Sequence, residues 1–118
     1  MFNNYMDKPL FKLVVLREAE DFINSLSPPV IRKMFYNIDK VYGGVRDPEL
    51  FKKLGDTDIW EFRTSWMGMA YRLFAFWDKD GETLVVATHG LVKKTQKTPK
   101  QEILKAQAIR KEYFNNKE

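Results

Sequence analysis

Hydrophobic positions recur along this chain with two periods, close to four residues in some stretches and two in others. Lys12–Leu16 is short and aliphatic, bounded by Pro9 and the charged Arg17, which predicts a buried first strand. From Arg17 to Leu26 the residues Ala19, Phe22, Ile23 and Leu26 fall at helical spacing until Ser27-Pro28-Pro29 interrupts them. Ser27 is placed to cap a second helix, with Pro28 at its first position. Ile31, Met34, Phe35, Ile38 and Tyr42 then mark one apolar face up to Gly43-Gly44. The two helices are expected to run antiparallel.

Val45–Asp58 contains Pro48, Gly55 and several charges, and reads as a connection with a short helical turn around Pro48–Lys53. Three segments with strand character follow: Ile59–Ser65, Ala70–Trp77 and Glu82–Lys93. Met67-Gly68 and Asp80-Gly81 separate them as candidate two-residue turns, so an antiparallel meander is expected. The final helix is predicted to start with Thr98 as its cap, Pro99 at the first position and Gln101 completing a capping box. Ile103, Ala106, Ile109 and Tyr113 form its apolar stripe. The pattern as a whole is α+β: a strand and two helices packed on a small, mainly antiparallel sheet, plus a C-terminal helix.

Composition narrows the chemistry. With 44% hydrophobic residues in 118, a single domain over residues 1–118 can bury a core. No apolar run approaches the roughly 20 residues that span a bilayer, and no signal-peptide core is present, so a cytoplasmic protein without membrane contact is expected. The chain has no cysteine and one histidine, which excludes disulfides and thiolate metal sites and makes a metal or other cofactor unexpected. A Gly-rich phosphate loop and a serine nucleophile elbow are also missing.

Charge points to a polyanion. Residues 1–59 hold nine basic and nine acidic residues, whereas residues 60–118 hold eleven and seven. Lys93, Lys94, Lys97, Lys100, Lys105, Arg110 and Lys111 crowd one stretch in which Glu102 is the only acid, giving seven minus one, or +6, against +4 for the whole chain. Nucleic acid is the leading partner for such a basic corner at the exit of a strand.

If both candidate turns hold two residues, Arg63 lies opposite Arg72 and Arg72 opposite His89. Strand alternation adds Glu61 and Lys93 to the same face, and a register slip of two residues would preserve it. Each residue also has a structural reading. Arg63 could pair with Glu61 or an acid of the first half, Arg72 could cap a helix, and a sheet histidine is commonly hydrogen-bonded and partly buried. Their coincidence beside the basic corner favours an anion site. Most of Trp60, Phe62, Phe74, Phe76 and Trp77 belong to the core, while Tyr71 and Trp66, near a turn, are candidates for stacking on bases.

These elements and motifs resemble the RelE/ParE superfamily of toxins, most closely its HigB-type branch. The resemblance is carried by Lys53-Leu54-Gly55, Trp60-Glu61-Phe62-Arg63, Ala70-Tyr71-Arg72-Leu73-Phe74, Ile103-Leu104-Lys105-Ala106 and, above all, Ala87-Thr88-His89-Gly90-Leu91-Val92-Lys93-Lys94-Thr95-Gln96-Lys97-Thr98-Pro99. It implies a RelE-like fold and the toxin of a type II toxin–antitoxin pair, a ribosome-dependent endoribonuclease that cuts messenger RNA in the ribosomal A site. It also implies a helix-turn-helix antitoxin as partner. Arg63, Arg72, His89 and Glu61 would then form the catalytic group, with Lys93, Lys94, Lys97, Lys100 and Tyr71 holding RNA phosphates, bases or ribosomal RNA. On that reading Arg72→Ala abolishes activity in a folded protein. Some RelE-type members carry a basic residue where Glu61 stands, so Glu61 is either a catalytic base or an arginine partner. The competing readings are a non-catalytic nucleic-acid-binding protein of phage or mobile-element origin and a ParE-like, gyrase-directed toxin.

Overall fold

The computed structural model describes residues 9–95 and 97–117; Gln96 of the basic motif and the ends of the predicted 1–118 domain lie outside the described residues. The chain runs β1 (Lys12–Val15), α1 (Arg17–Asn24), α2 (Pro28–Tyr42), β2 (Phe51–Lys53), β3 (Trp60–Trp66), β4 (Met69–Asp78), β5 (Leu84–Lys93) and α3 (Lys100–Asn115). The five strands form one mixed sheet in the order β1-β5-β4-β3-β2, parallel only between β1 and β5. This is the expected α+β architecture, enlarged by one strand. The predicted turn of helix around Pro48–Lys53 ends early: Pro48 to Leu50 form a turn, and Phe51–Lys53 pair with Trp60–Phe62 as an edge strand.

Strand alternation divides the core into two layers. Phe62, Leu73, Ala75, Val85 and Ala87 face α1 and α2, where Ala19, Ile23, Met34, Ile38 and Val41 meet them. Ile59, Phe74, Phe76 and Val86 face the other way, against Ala106 and the partly buried Ile103, Tyr113 and Phe114 of α3. The close approach of α1 to β5 requires Gly90, since a Cβ there would lie 2.1 Å from the Phe22 ring.

The two hairpins behave differently. Met67 (φ 48°) and Gly68 (φ 80°) make a two-residue turn, so Arg63 lies opposite Arg72 as expected. Asp80-Gly81 does not close the second hairpin as a two-residue turn. The Asp78 carboxylate accepts the Asp80 N–H at 3.0 Å, and residues 79–83 form a longer loop before Leu84. The loop shifts the register by one residue, pairing Asp78 with Leu84, and a bulge between Ala75 and Phe74 adds a second, so Arg72 pairs with Leu91 and His89 with Phe74. The total slip of two keeps His89 on the predicted face one row away. Beyond this pair Ala75 is opposite Ala87, which leaves Thr88 as the extra residue of a β-bulge.

Among the described residues no helix is long and apolar enough to cross a membrane.

Candidate functional site

The face of β3, β4 and β5 under the start of α3 brings together Glu61, Arg63, Arg72, His89 and Lys93. Glu61 is the centre of the group. Its carboxylate lies 3.6 Å from Arg63 Nε and 3.7 Å from Arg72 Nε, and it accepts the Thr98 hydroxyl at 2.8 Å. Lys93 in turn donates to Thr98 Oγ1 at 3.3 Å, so one hydroxyl links the lysine to the carboxylate. Like charges opposed across a pair of strands repel, and Glu61, two residues from Arg63 on the same face, offsets the repulsion between the arginines. Arg63 is held further by the Pro48 carbonyl (3.2 Å) and Arg72 by the Tyr71 carbonyl (3.2 Å).

Burial separates these groups. Arg72 is 1% and Glu61 2% exposed, whereas the Arg63 side chain retains 14%. Burial, followed by the nearby Arg63 charge, lowers the Arg72 pKa from its ordinary value. Lys93 is lowered in the same sense by burial and then by Arg72. Both shifts have the same two leading causes, burial and a neighbouring positive charge.

His89 lies on the same face one row from Arg72, tilted against Phe74 with ring centroids 4.8 Å apart. Its Nδ1 lies 3.0 Å from Thr88 Oγ1 and its Nε2 2.9 Å from Glu102 Oε1. Burial lowers the histidine pKa and outweighs the opposing effect of the hydrogen bond that the ring donates to Glu102. A neutral ring in this setting donates Nε2–H to the Glu102 carboxylate, and its Nδ1 faces the Thr88 hydroxyl, whose one proton is shared with the Phe74 carbonyl at 3.3 Å. The hydrogen-bonded, buried reading of this histidine is the arrangement observed.

The remaining predicted residues divide between two surfaces. Lys94, Lys97 and Lys100 are exposed along the segment that enters α3. Tyr71 is not brought to the arginines: alternation points it to the opposite face, across from Thr64 and Val92 and packed on the α1/α2 core. Trp66 is also on that side, with Lys33 Nζ 5.7 Å from its ring. A groove of about 900 Å³, lined in part by Phe51, Trp60 and Trp77, includes none of the predicted site residues.

Two contributors escape a reading of the sequence, Thr98 and Glu102. Thr98 looks like a helix cap, yet the cap position is Pro99 and no capping side-chain bond forms; the Thr98 hydroxyl serves Glu61 instead. Glu102, the single acid of the basic stretch, looks like a first-turn residue favoured by the helix dipole. Its isolation among cations is the one signal that could have marked it. Among the described residues no group of three or more His, Asp or Glu side chains could hold a metal ion.

Comparison with known proteins gives one family. The model for phage-derived Gp49-like proteins matches residues 21–111, a span reaching from α1 into α3 and containing every residue of the site. No curated protein matches the chain.

Proposed function

Because the chain belongs to the family of phage-derived Gp49-like proteins, we propose that the Glu61–Arg63–Arg72–Lys93 face acts on RNA phosphates, as in a toxin of the RelE/HigB type. The reaction is cleavage of messenger RNA on the ribosome, and a helix-turn-helix antitoxin is the natural partner. The observation that carries this reading is a single carboxylate within 4 Å of two guanidinium groups, joined to Lys93 through Thr98, where the basic segment leaves the sheet.

Metal-independent RNA cleavage forms a bond from the ribose 2′ oxygen to phosphorus and breaks the bond to the 5′ oxygen. The 2′ proton passes to a base, a proton is supplied to the leaving oxygen, and the products are a 2′,3′-cyclic phosphate and a 5′-hydroxyl. Negative charge accumulates on the phosphoryl oxygens. Arg63, the more exposed arginine, suits their stabilisation, with Lys93 joined to the group through Thr98. Glu61 suits the base once the Thr98 hydroxyl leaves it, and Arg72 holds Glu61 in place. Lys94, Lys97 and Lys100 supply attraction for flanking phosphates and ribosomal RNA.

Expression of the chain alone, with mapping of message ends, tests the proposal. Cleavage should leave cyclic phosphate ends, and Arg63→Ala should slow it by roughly 100-fold, the usual effect of losing one donor to a developing oxyanion. Undiminished cleavage by a folded Arg63→Ala protein would remove Arg63 from the reaction. The burial of Arg72 and His89 favours a second reading, non-catalytic nucleic-acid binding through the exposed lysines. That reading predicts salt-sensitive binding without cyclic phosphate products.

A further inference from the structure

The segment joining β5 to α3 places an oxygen on each of the two acid–base candidates. Thr98 bonds Glu61, and Glu102, in the first turn of α3, bonds His89 Nε2. Since Thr88 takes the other ring nitrogen, both hydrogen-bonding positions of His89 end on protein. The ring is 2% exposed, while the Glu102 side chain that covers it keeps 26%. A ligand oxygen reaches Nε2 only by displacing the Glu102 carboxylate.

A carboxylate and a phosphodiester present the same recognition chemistry, anionic oxygens that accept from N–H donors. Glu102 offers these oxygens to the imidazole on the face that carries Arg63, Arg72 and Lys93, with Lys105 one helical turn further on. Resting on the reading that this face takes RNA phosphates, we propose that Glu102 is a built-in stand-in for the ligand: its carboxylate fills the phosphate position at His89, and the first turn of α3 lifts when RNA binds.

The attachment of α3 fits a hinged element. Its C-terminal half is anchored by Tyr113 and Phe114 against Phe76, and by Tyr113 and Lys117 bonded to the buried Asp78 carboxylate. The N-terminal half buries Ala106 and, in part, Ile103 against the sheet, while Leu104 is 55% exposed. Its ion pair to α1, Lys105 with Glu18, is exposed on both sides, and exposed pairs of this kind contribute little. Lifting of the first turn breaks the contacts of Thr98, Glu102 and Ile103 and the exposed Lys105 pair, while leaving Ala106 and the Asp78 anchor in place.

Binding of a non-cleavable 2′-O-methyl RNA oligonucleotide to the full chain tests the stand-in without requiring catalysis. Glu102→Ala should bind at least about fivefold more tightly than wild type, at the lower end of ordinary intramolecular coupling. Glu112→Ala, which removes the same charge from an exposed position of α3, measures the general charge effect. Glu102→Gln should fall between wild type and Glu102→Ala, because a neutral amide still accepts from His89 but more weakly. Equal affinities for Glu102→Ala and Glu112→Ala overturn the proposal, as does weaker binding by Glu102→Ala. If the alanine variant fails to fold, Glu102→Gln against Glu112→Gln decides in the same way. Cleavage of unmodified RNA is read separately: tighter binding without cleavage by any variant overturns the nuclease reading alone, and cleavage without a Glu102 effect overturns the stand-in alone.

Discussion

At 1% exposure the Arg72 guanidinium has exchanged water for the Glu61 carboxylate and the Tyr71 carbonyl. Stranding one charge of a buried pair costs about 3–5 kcal/mol. Without Arg72, Glu61 keeps Arg63 and the Thr98 hydroxyl, so the loss is expected toward the lower end of that range. Arg72→Ala is therefore expected to lower the urea midpoint strongly, and the sequence-based expectation of an inactive but folded variant gives way to that of a destabilised one. Urea denaturation should also show that a Glu61→Met/Arg72→Met double variant recovers part of the loss, because both buried charges are gone and Arg63, which loses Glu61, is partly exposed and keeps the Pro48 carbonyl. The common face of Glu61, Arg63 and Arg72 was legible because strand side chains alternate whatever their surroundings. Their exposure was not, because water is excluded by Thr98 and α3, far along the chain. Tyr71 shows the same principle from the other side: adjacency to Arg72 in sequence places it on the opposite face of the sheet.

The two hairpins mark the limit of element-level inference. The β3–β4 turn is local, and Met67-Gly68 adopts the pair of positive φ angles that a type I′ turn demands. Met67 holds this conformation at 87% exposure, and a left-handed non-glycine residue costs about 1–2 kcal/mol. Met67→Asn, which supplies the residue type this turn prefers, should raise stability by about 1 kcal/mol in thermal or urea unfolding. An unchanged or lowered midpoint would contradict this account of the turn. The β4–β5 register, in contrast, depends on the Thr88 bulge and on Asp78, whose carboxylate is claimed by Tyr113 and Lys117 of the α3 end. The strong local signal of Asp80-Gly81 yields to these distant partners. β2 was missed because its three residues are too few to show a period, and β3 completes it through the cross-strand stack of Phe51 on Phe62.

Across the whole molecule, α3 closes a helix–sheet–helix sandwich and creates two buried titratable centres. Burial lowers the His89 pKa below its ordinary 6.5, so the unfolded chain takes up this proton first and stability should fall as pH drops below about that value. The hydrogen bond from Lys117, with those of Tyr113 and the Asp80 N–H, holds Asp78 below its ordinary 3.8. Its contribution is present above that value and is lost as pH falls through the lower folded pKa. Urea midpoints across this range should therefore decline in two steps on acidification; His89→Gln should flatten the first and Asp78→Asn the second. A single step unaffected by His89→Gln would place the titrating group elsewhere. The sequence by itself determined the order of elements apart from β2, the first hairpin and the shared face of Glu61, Arg63 and Arg72, because period and turn chemistry act between near neighbours. Only the tertiary structure decided which of these groups meet water and which carboxylate each one meets. Thr98 reaches Glu61 from 37 residues away and Glu102 reaches His89 from 13, contacts that exist only once α3 packs on the sheet.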